Sequence, residues 1–169
     1  IVKTTLLKKT KNIVKTVEFF SFSGLIQILQ IYDWMDMEQR VITIVGGTGF
    51  LGKYVVQRLA RAGFRLRVVS RNPVRTTDLK TSGQVGQIAL IAGDITNPET
   101  YASAIQGSFA VINLVGIMCE RGKQNFSGVH SVGAEKLAIA AKAAGVSRFI
   151  QVSALGVEHE LGSSYARSK

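Results

Sequence analysis

The feature that most constrains this chain is a glycine-rich turn between a strand pattern and a helix pattern. The turn reads GGTGFLG over residues 46–52, and the β-branched run Val41–Val45 precedes it. Phe50–Ala62 then follows helical periodicity, and Gly63 is placed to end that helix. A glycine pattern alone is a weak signal, and a flexible turn is its alternative interpretation. Between a strand and a helix, however, it predicts a βαβ unit that binds a dinucleotide.

Each glycine of the turn has its own physical reason. Gly46 permits a tight turn, Gly49 lets the backbone approach a pyrophosphate, and Gly52 lets the helix pack closely on the strand. The backbone amides at the amino end of the helix then face the phosphates. We therefore predict that the whole turn contacts the dinucleotide: Gly46, Gly47, Thr48, Gly49, Phe50, Leu51 and Gly52.

The rest of the chain alternates strand and helix patterns. Four further strands are predicted at Leu66–Ser70, Ile88–Ala92, Ala110–Val115 and Phe149–Ser153. Helices are predicted from the cap Asn97 and its neighbour Pro98, and over Val132–Ala144 up to Gly145. The alternation predicts an α/β fold, a doubly wound parallel sheet of the Rossmann type with strand order 3-2-1-4-5. A further helix begins as the pattern reaches Lys169, so we expect a domain truncated at its C-terminus, with no catalysis by this chain alone.

The end of the second predicted strand indicates which dinucleotide binds. An NAD-selective site places an acidic residue there, about 20 residues after the glycines, to accept hydrogen bonds from the ribose. This chain has Ser70-Arg71-Asn72 instead. A guanidinium can pair with a 2′-phosphate, so we predict NADP(H) over NAD(H), with Arg71 as the principal contact and Ser70 or Arg75 as helpers.

The ends of the third and fourth strands supply further candidates. Asp94 and Ile95 follow the third strand, and Asp94 either caps a turn or accepts a hydrogen bond from the adenine amino group. Val115 and Gly116 follow the fourth strand, where the backbone beside a glycine can pass under the ribose.

Composition narrows the partners. The 169 residues are 46% apolar and carry a formal charge of +10, which fits phosphate-bearing ligands, an anionic membrane surface or nucleic acid. Among the clustered arginines only Phe64 offers a stacking platform, so we expect no nucleic-acid partner. We expect the other arginines of this cluster, without Arg71, to form a solvated face: Arg58, Arg61, Arg65, Arg67 and Arg75. A single cysteine, Cys119, excludes an internal disulfide, and two separated histidines give no support for a metal site.

Residues 1–36 differ from the rest of the chain. Ile1–Lys15 is basic, and Phe19–Tyr32 is apolar but shorter than the ~20 residues of a spanning helix, so we predict no transmembrane helix. A membrane-surface segment and a transit-like presequence are alternatives. We favour an extension outside the fold, because Met37 begins the run that leads into the first strand. The predicted organisation is an extension over 1–36 and an incomplete NAD(P)-binding domain over 37–169.

Several segments resemble a known family. The GGTGFLG turn, the Gly-Asp-Ile-Thr segment and the final YARSK are similar to the short-chain dehydrogenase/reductase superfamily, in its extended or atypical branch. The segments GGTGFLGKYVVQRL, VINLVGI, AGVSRFIQVSALG and SSYARSK resemble most closely the NADP(H)-holding accessory subunit family of respiratory NADH:ubiquinone oxidoreductase (complex I) and its bacterial relatives. The resemblance covers Val41 to Lys169 and does not cover residues 1–36.

The resemblance implies three catalytic positions. Tyr165 matches the superfamily's general acid/base, Lys169 the lysine that lowers its pKa and holds the ribose, and Ser153 the residue that orients the substrate carbonyl. Tyr165 and Lys169 at i and i+4 share a helix face, which suits an ammonium near a phenolate. The family's usual asparagine after the fourth strand is His130 here, and this departure places a proton-relay role in question.

Three functions follow from these patterns. The resemblance implies an NADP(H)-binding accessory subunit of complex I, with a structural or regulatory nucleotide and a place in the bacterial cytoplasm or mitochondrial matrix, peripheral on the respiratory membrane. An NADP-dependent oxidoreductase or epimerase that uses Ser153, Tyr165 and Lys169 is the alternative. A basic protein whose fold is only a scaffold for membrane or nucleic-acid association has the weakest support.

Overall fold

The fold is built on one parallel sheet. The computed structural model describes residues 40–122, 124–154 and 162–169, so the predicted extension over 1–36 lies outside the described residues. The strands are β1 (Val41–Val45), β2 (Arg65–Ser70), β3 (Ile88–Ala92), β4 (Ala110–Asn113) and β5 (Arg148–Gln151). The α-helices in these ranges are α1 (Phe50–Arg61), α2 (Ala102–Ile105), α3 (Gly133–Ala143) and α4 (Ser164–Ser168). A 3₁₀ stretch that is kinked at Thr76 (Pro73–Ser82), a short 3₁₀ segment (Pro98–Thr100) and a π-helical turn (Ser127–Val132) complete the helical structure there.

The sheet has the order β3-β2-β1-β4-β5, and all four strand pairs are parallel. This confirms the predicted Rossmann-type topology. The order reverses between β1 and β4, and in open α/β sheets ligands bind outside the carboxyl ends of the strands at that switch point.

Each face of the sheet has its own apolar core. Val55, Val56 and Leu59 of α1 pack on Ile42 and Ile44 of β1. On the other face, α2 and α3 pack on β1, β2 and β4, with Tyr101 and Leu137 fully buried. The helix stops were predicted correctly, since Gly63 and Gly145 adopt φ of 90° and 70°, which suits glycine at the end of a helix.

Two strands end earlier than predicted. β4 ends at Asn113, because the Asn113 side chain accepts a hydrogen bond from the Val115 amide (3.1 Å) and turns the chain there. β5 then ends at Gln151, since its last ladder bond runs from the Val152 amide to the Asn113 carbonyl (3.1 Å).

Arg67 is not part of a solvated face. Its guanidinium donates to the carbonyl oxygens of Ala104 (3.0 Å) and Gln106 (2.6 Å) at the carboxyl end of α2. Those carbonyls lack partners within the helix, and the cation satisfies them. Arg67 therefore stabilises a helix terminus.

Within the residues that the structure describes, no helix has the length and apolar character required to cross a bilayer.

Candidate nucleotide-binding site

Gly46 makes the sharp turn at the end of β1. Its φ is 83°, a left-handed conformation that favours glycine. Its amide donates to the Val69 carbonyl (2.9 Å), and an added Cβ would lie 2.9 Å from Cγ2 of Val115. The turn thus brings the ends of β1, β2 and β4 together without a side chain between them.

Gly52 allows α1 to approach the turn. A Cβ at Gly52 would lie 2.5 Å from the carbonyl carbon of Gly47, a distance that side chains do not adopt. The close contact is therefore with the backbone of the turn, rather than with the strand as predicted. Packing also requires a glycine at position 47, since a Cβ added to Gly47 would lie 2.8 Å from Cγ1 of Val68.

The amino end of α1 presents backbone amides that have no helical partner. Gly49 is the N-cap residue, no side chain among the described residues caps the helix, and its first turn holds no acidic residue. The amides of Phe50, Leu51 and Gly52 have no i−4 acceptor within the helix, and such a terminus favours an anion. Of the atoms in the described ranges, an added Cβ at Gly49 would meet only the Gly46 carbonyl oxygen, at 3.4 Å, so this part of the structure leaves the approach to these amides open.

A cleft lies above the carboxyl ends of the strands, at the switch point. It is bounded by the glycine turn and by the ends of β2, β3 and β4, with Gln124 and Val129 at one side. Predicted contact residues that line it are Gly46, Thr48, Gly49, Ser70, Arg71, Asp94, Ile95, Val115 and Gly116. Its volume is about 190 Å³, smaller than the roughly 300–1,000 Å³ of sites that enclose drug-sized ligands. A dinucleotide can therefore place one part in the cleft while the remainder lies along the open edge.

The end of β2 contributes a buried hydroxyl and an exposed guanidinium. The Ser70 hydroxyl oxygen is buried and has no hydrogen-bond partner among the described residues. Arg71 is exposed beside it at the rim of the cleft. A buried polar atom without a partner is uncommon in a folded protein, and a ligand oxygen at the cleft would satisfy it.

Asp94 caps a turn, which is one of its two predicted roles. Its Oδ1 accepts hydrogen bonds from the amide (2.9 Å) and the hydroxyl (2.8 Å) of Thr96. Ile95 is buried in the core and meets Gly133 of α3. A contact of Asp94 with adenine stays a prediction.

Two amide side chains that were not predicted as functional hold the backbone at Val115 and Gly116, which forms the floor of the cleft. Asn113 is fully buried, and its Nδ2 donates to Oε1 of Gln151 (2.7 Å). Its Oδ1 accepts from the Val115 amide, which sets the path of the backbone toward Gly116. Polar residues inside the apolar runs AVIN and FIQ, at paired positions of adjacent strands, were the available signal.

Ser153, Tyr165 and Lys169 come together next to this floor. Nζ of Lys169 lies 5.7 Å from the centre of the Tyr165 ring, and the Ser153 hydroxyl donates to the Lys169 carbonyl (3.4 Å). Burial lowers the pKa of the Lys169 ammonium. Among the described residues no hydrogen bond joins the Tyr165 hydroxyl to Ser153 or Lys169. The three residues are thus neighbours, and their catalytic roles stay a prediction.

His130 lies at the centre of this group, although it was singled out only as a departure from the family. Its Nε2 accepts from the Ile117 amide (2.9 Å), and its Nδ1 lies 2.9 Å from the Ser168 hydroxyl. Burial and the nearby Lys169 charge lower the pKa of His130 to about 4. The ring is therefore neutral near pH 7.

These features fit a nicotinamide dinucleotide. The turn is packed too tightly for a Cβ at Gly46 or Gly52, the first-turn amides of α1 suit a pyrophosphate, and the Ser70 hydroxyl at the cleft has no partner among the described residues. The fold and the site together define an NAD(P)-binding Rossmann domain.

Comparison with known proteins agrees with this class. The chain belongs to the NAD(P)H-binding family, which matches residues 46–169. The domain therefore binds a nicotinamide dinucleotide, as the glycine turn predicted.

Curated relatives fall into two groups. The chain is 36% identical over 130 residues to the rat (Rattus norvegicus) mitochondrial NADH dehydrogenase (ubiquinone) 1 alpha subcomplex subunit 9, covering 76% of this chain and 34% of the relative. It is 34% identical over 116 residues to the mitochondrial NADH-ubiquinone oxidoreductase 40 kDa subunit of Neurospora crassa, covering 69% and 31%. It is also 37% identical over 132 residues to a ceramide reductase of Caulobacter vibrioides, covering 76% and 39%. The predicted resemblance to complex I accessory subunits and reductases is confirmed, and the chain spans about a third of the length of these relatives.

Solved structures show the same fold. The vestitone reductase of alfalfa (Medicago sativa) aligns with a TM-score of 0.56 and 23% identity over 66% of this chain and 35% of that chain. The Pen protein of Bacillus thuringiensis aligns with a TM-score of 0.56 and 21% identity over 65% of this chain and 36% of that chain.

Proposed function

We propose that this domain holds NADP(H) as a structural or regulatory nucleotide in a protein like the complex I accessory subunits. The observation that carries the nucleotide choice is the end of β2, where Ser70 and Arg71 stand in place of an acidic residue. A carboxylate there would repel a 2′-phosphate, whereas a guanidinium forms charge-assisted hydrogen bonds with it. The first-turn amides of α1 would hold the pyrophosphate, and Gly116 and Lys169 the second ribose.

The similarity to mitochondrial subunits of NADH:ubiquinone oxidoreductase supports the role of an accessory subunit. Under this proposal the partners are other complex I subunits, and the protein sits peripherally on the respiratory membrane, on its matrix or cytoplasmic side.

A reductase is the second candidate, and the similarity to ceramide reductase favours it. When bound, the nicotinamide would supply a hydride to a carbonyl carbon. Tyr165 would donate its hydroxyl proton to the carbonyl oxygen, and Ser153 would orient that oxygen. The Lys169 ammonium, which already lies over the Tyr165 ring, would then stabilise the phenolate that remains.

Two measurements on the full-length protein test these proposals. Fluorescence titration with NADPH and NADH should show tighter binding of NADPH. Oxidation of bound NADPH should then be followed with a panel of aldehydes, ketones and long-chain keto lipids added. NADPH oxidation that is lost in the control variant Tyr165→Phe would support the reductase and contradict the structural role. Equal affinity for both cofactors would contradict the NADP(H) assignment.

A further inference from the structure

His130 connects two parts of the site that are far apart in sequence. Its Nε2 accepts a hydrogen bond from the Ile117 amide, just after the Gly116 floor of the cleft. Its Nδ1 lies 2.9 Å from the hydroxyl of Ser168, in the segment that carries Tyr165 and Lys169. The Ser168 hydroxyl lies 2.6 Å from the Tyr165 carbonyl and donates to it.

The hydrogen-bond directions in this chain of contacts are all determined. A backbone amide only donates and a carbonyl only accepts, so Nε2 must be unprotonated and the Ser168 proton must point to Tyr165. Nδ1 then carries the hydrogen and donates it to the Ser168 oxygen. The neutral Nδ1–H tautomer is the form that satisfies every group.

Packing also fixes the ring. His130 is buried, it stacks on Phe126 at 5.6 Å between ring centres, and the Tyr165 ring meets it edge-on at 5.5 Å. The residue sits in the π-helical turn Ser127–Val132, a feature that is rare and frequently found at functional sites. Ser131 of the same turn donates to the Ser168 carbonyl (3.0 Å), which ties the turn to the same segment a second time.

This arrangement excludes a proton relay through His130. One ring nitrogen is bonded to a backbone amide, and the other leads through Ser168 to a backbone carbonyl. Neither path reaches the Tyr165 hydroxyl, so the ring can hold these groups in place but cannot deliver a proton to them.

We propose that His130 is a positioning residue that holds the Gly116–Ile117 floor of the cleft and the Tyr165–Lys169 segment in register, and so sets the affinity for the nucleotide. The inference rests on the proposed binding of NADPH at this cleft. Its physical basis is that the Lys169 ammonium lies against Gly116, where a Cβ would be 3.1 Å from Nζ. A shift of either segment would separate the cation from the backbone that borders the ligand.

Two variants remove the connection between His130 and Ser168, and a third is their control. His130→Gln keeps an acceptor near the Nε2 position but loses the contact with Ser168, and Ser168→Ala removes the same contact while leaving the buried ring in place. Ser127→Ala deletes an exposed hydroxyl from the same π-helical turn and is the matched control. NADPH binding by the full chain is measured by fluorescence titration, beside thermal unfolding without nucleotide.

We expect Ser168→Ala and His130→Gln each to weaken NADPH binding about tenfold, the equivalent of one hydrogen bond of about 1.4 kcal/mol. The double variant should lose less than the sum of the two single losses, since both substitutions remove the contact between His130 and Ser168, and Ser127→Ala should bind as the wild type. Unchanged affinity in Ser168→Ala, with the wild type binding, would overturn the inference and leave the proposed function standing. No NADPH binding by the wild type would overturn both.

A readout without nucleotide tests the geometry directly. Nitrogen-15 NMR of the imidazole at pH 7 should show a protonated Nδ1 and an unprotonated Nε2, and Ser168→Ala should shift the Nδ1 resonance. The Nε2–H tautomer or an imidazolium would overturn the inference, because neither form can accept the Ile117 hydrogen bond.

Discussion

Nζ of Lys169 lies 3.1 Å from the point that a Cβ on Gly116 would occupy. The missing side chain at Gly116 is what lets the ammonium reach the floor of the nucleotide cleft. The sequence predicted both residues as cofactor contacts for separate reasons, and the structure shows that they face each other.

The Gly116–Lys169 contact can be tested by adding one methyl group. Gly116→Ala should displace the ammonium and weaken NADPH binding about five- to tenfold, about 1–1.4 kcal/mol, with little loss of stability because Gly116 is exposed. Fluorescence titration measures the affinity. In a Lys169→Met background the same substitution should have almost no effect, and an equal loss in both backgrounds would show that Gly116 acts independently of the cation.

Arg71 should discriminate between the two cofactors. Arg71→Ala should cost about 1.5–3 kcal/mol of NADPH binding, the range for hydrogen bonds to charged groups, and leave NADH binding nearly unchanged. Isothermal titration with both cofactors measures the difference. Arg61→Ala, an exposed arginine in the last turn of α1, is the control. The assignment fails if both cofactors lose affinity equally.

Substitution of two glycines of the turn should affect different properties, stability at Gly52 and nucleotide binding at Gly49. Gly52→Ala places a Cβ 2.5 Å from the Gly47 backbone and should lower the free energy of unfolding by about 1–3 kcal/mol, as overpacking does. Gly49 has an ordinary backbone φ (−74°), and among the described residues only the Gly46 oxygen lies near its added Cβ, so in Gly49→Val the fold should persist while nucleotide binding is abolished. Thermal unfolding and titration of each variant separate the two effects. Normal NADPH binding by Gly49→Val would mean that the pyrophosphate lies elsewhere.

His130 should make stability depend on pH. Burial and the Lys169 charge lower the pKa of His130 from the ordinary histidine value of 6.5 to about 4 in the fold, so between these values the unfolded state binds more protons. Stability should therefore be highest above about pH 6.5 and decrease as the pH falls toward 4, by at most about 3 kcal/mol. Urea denaturation across this range measures the slope. His130→Asn, which does not titrate, should flatten it, and an unchanged slope would assign the effect to other groups.

Local chemistry explains why much of the fold was predictable. The alternation of strands and helices, the positive φ of Gly46, Gly63 and Gly145, and the Asn97 cap that accepts from the Glu99 amide each depend on short runs of adjacent residues. Backbone sterics and hydrophobic periodicity act over that range, so they can be read along the chain.

What only the tertiary structure decided is which side chains meet across the sheet. Arg67 is 37 residues from the α2 carbonyl that it caps, Asn113 is 38 from Gln151, and His130 is 38 from Ser168. Such pairs depend on where packed elements cross, and nothing in the local pattern around His130 identifies its partners. The sequence by itself therefore determined the alternation of strands and helices and the phosphate-binding turn, because both follow from local conformation, and the parallel order follows from that alternation through right-handed crossovers. The arrangement of Lys169, His130 and Gly116 around the cleft was decided by long-range packing, which brings residues from the ends of β4, the π-helical turn and α4 to one place.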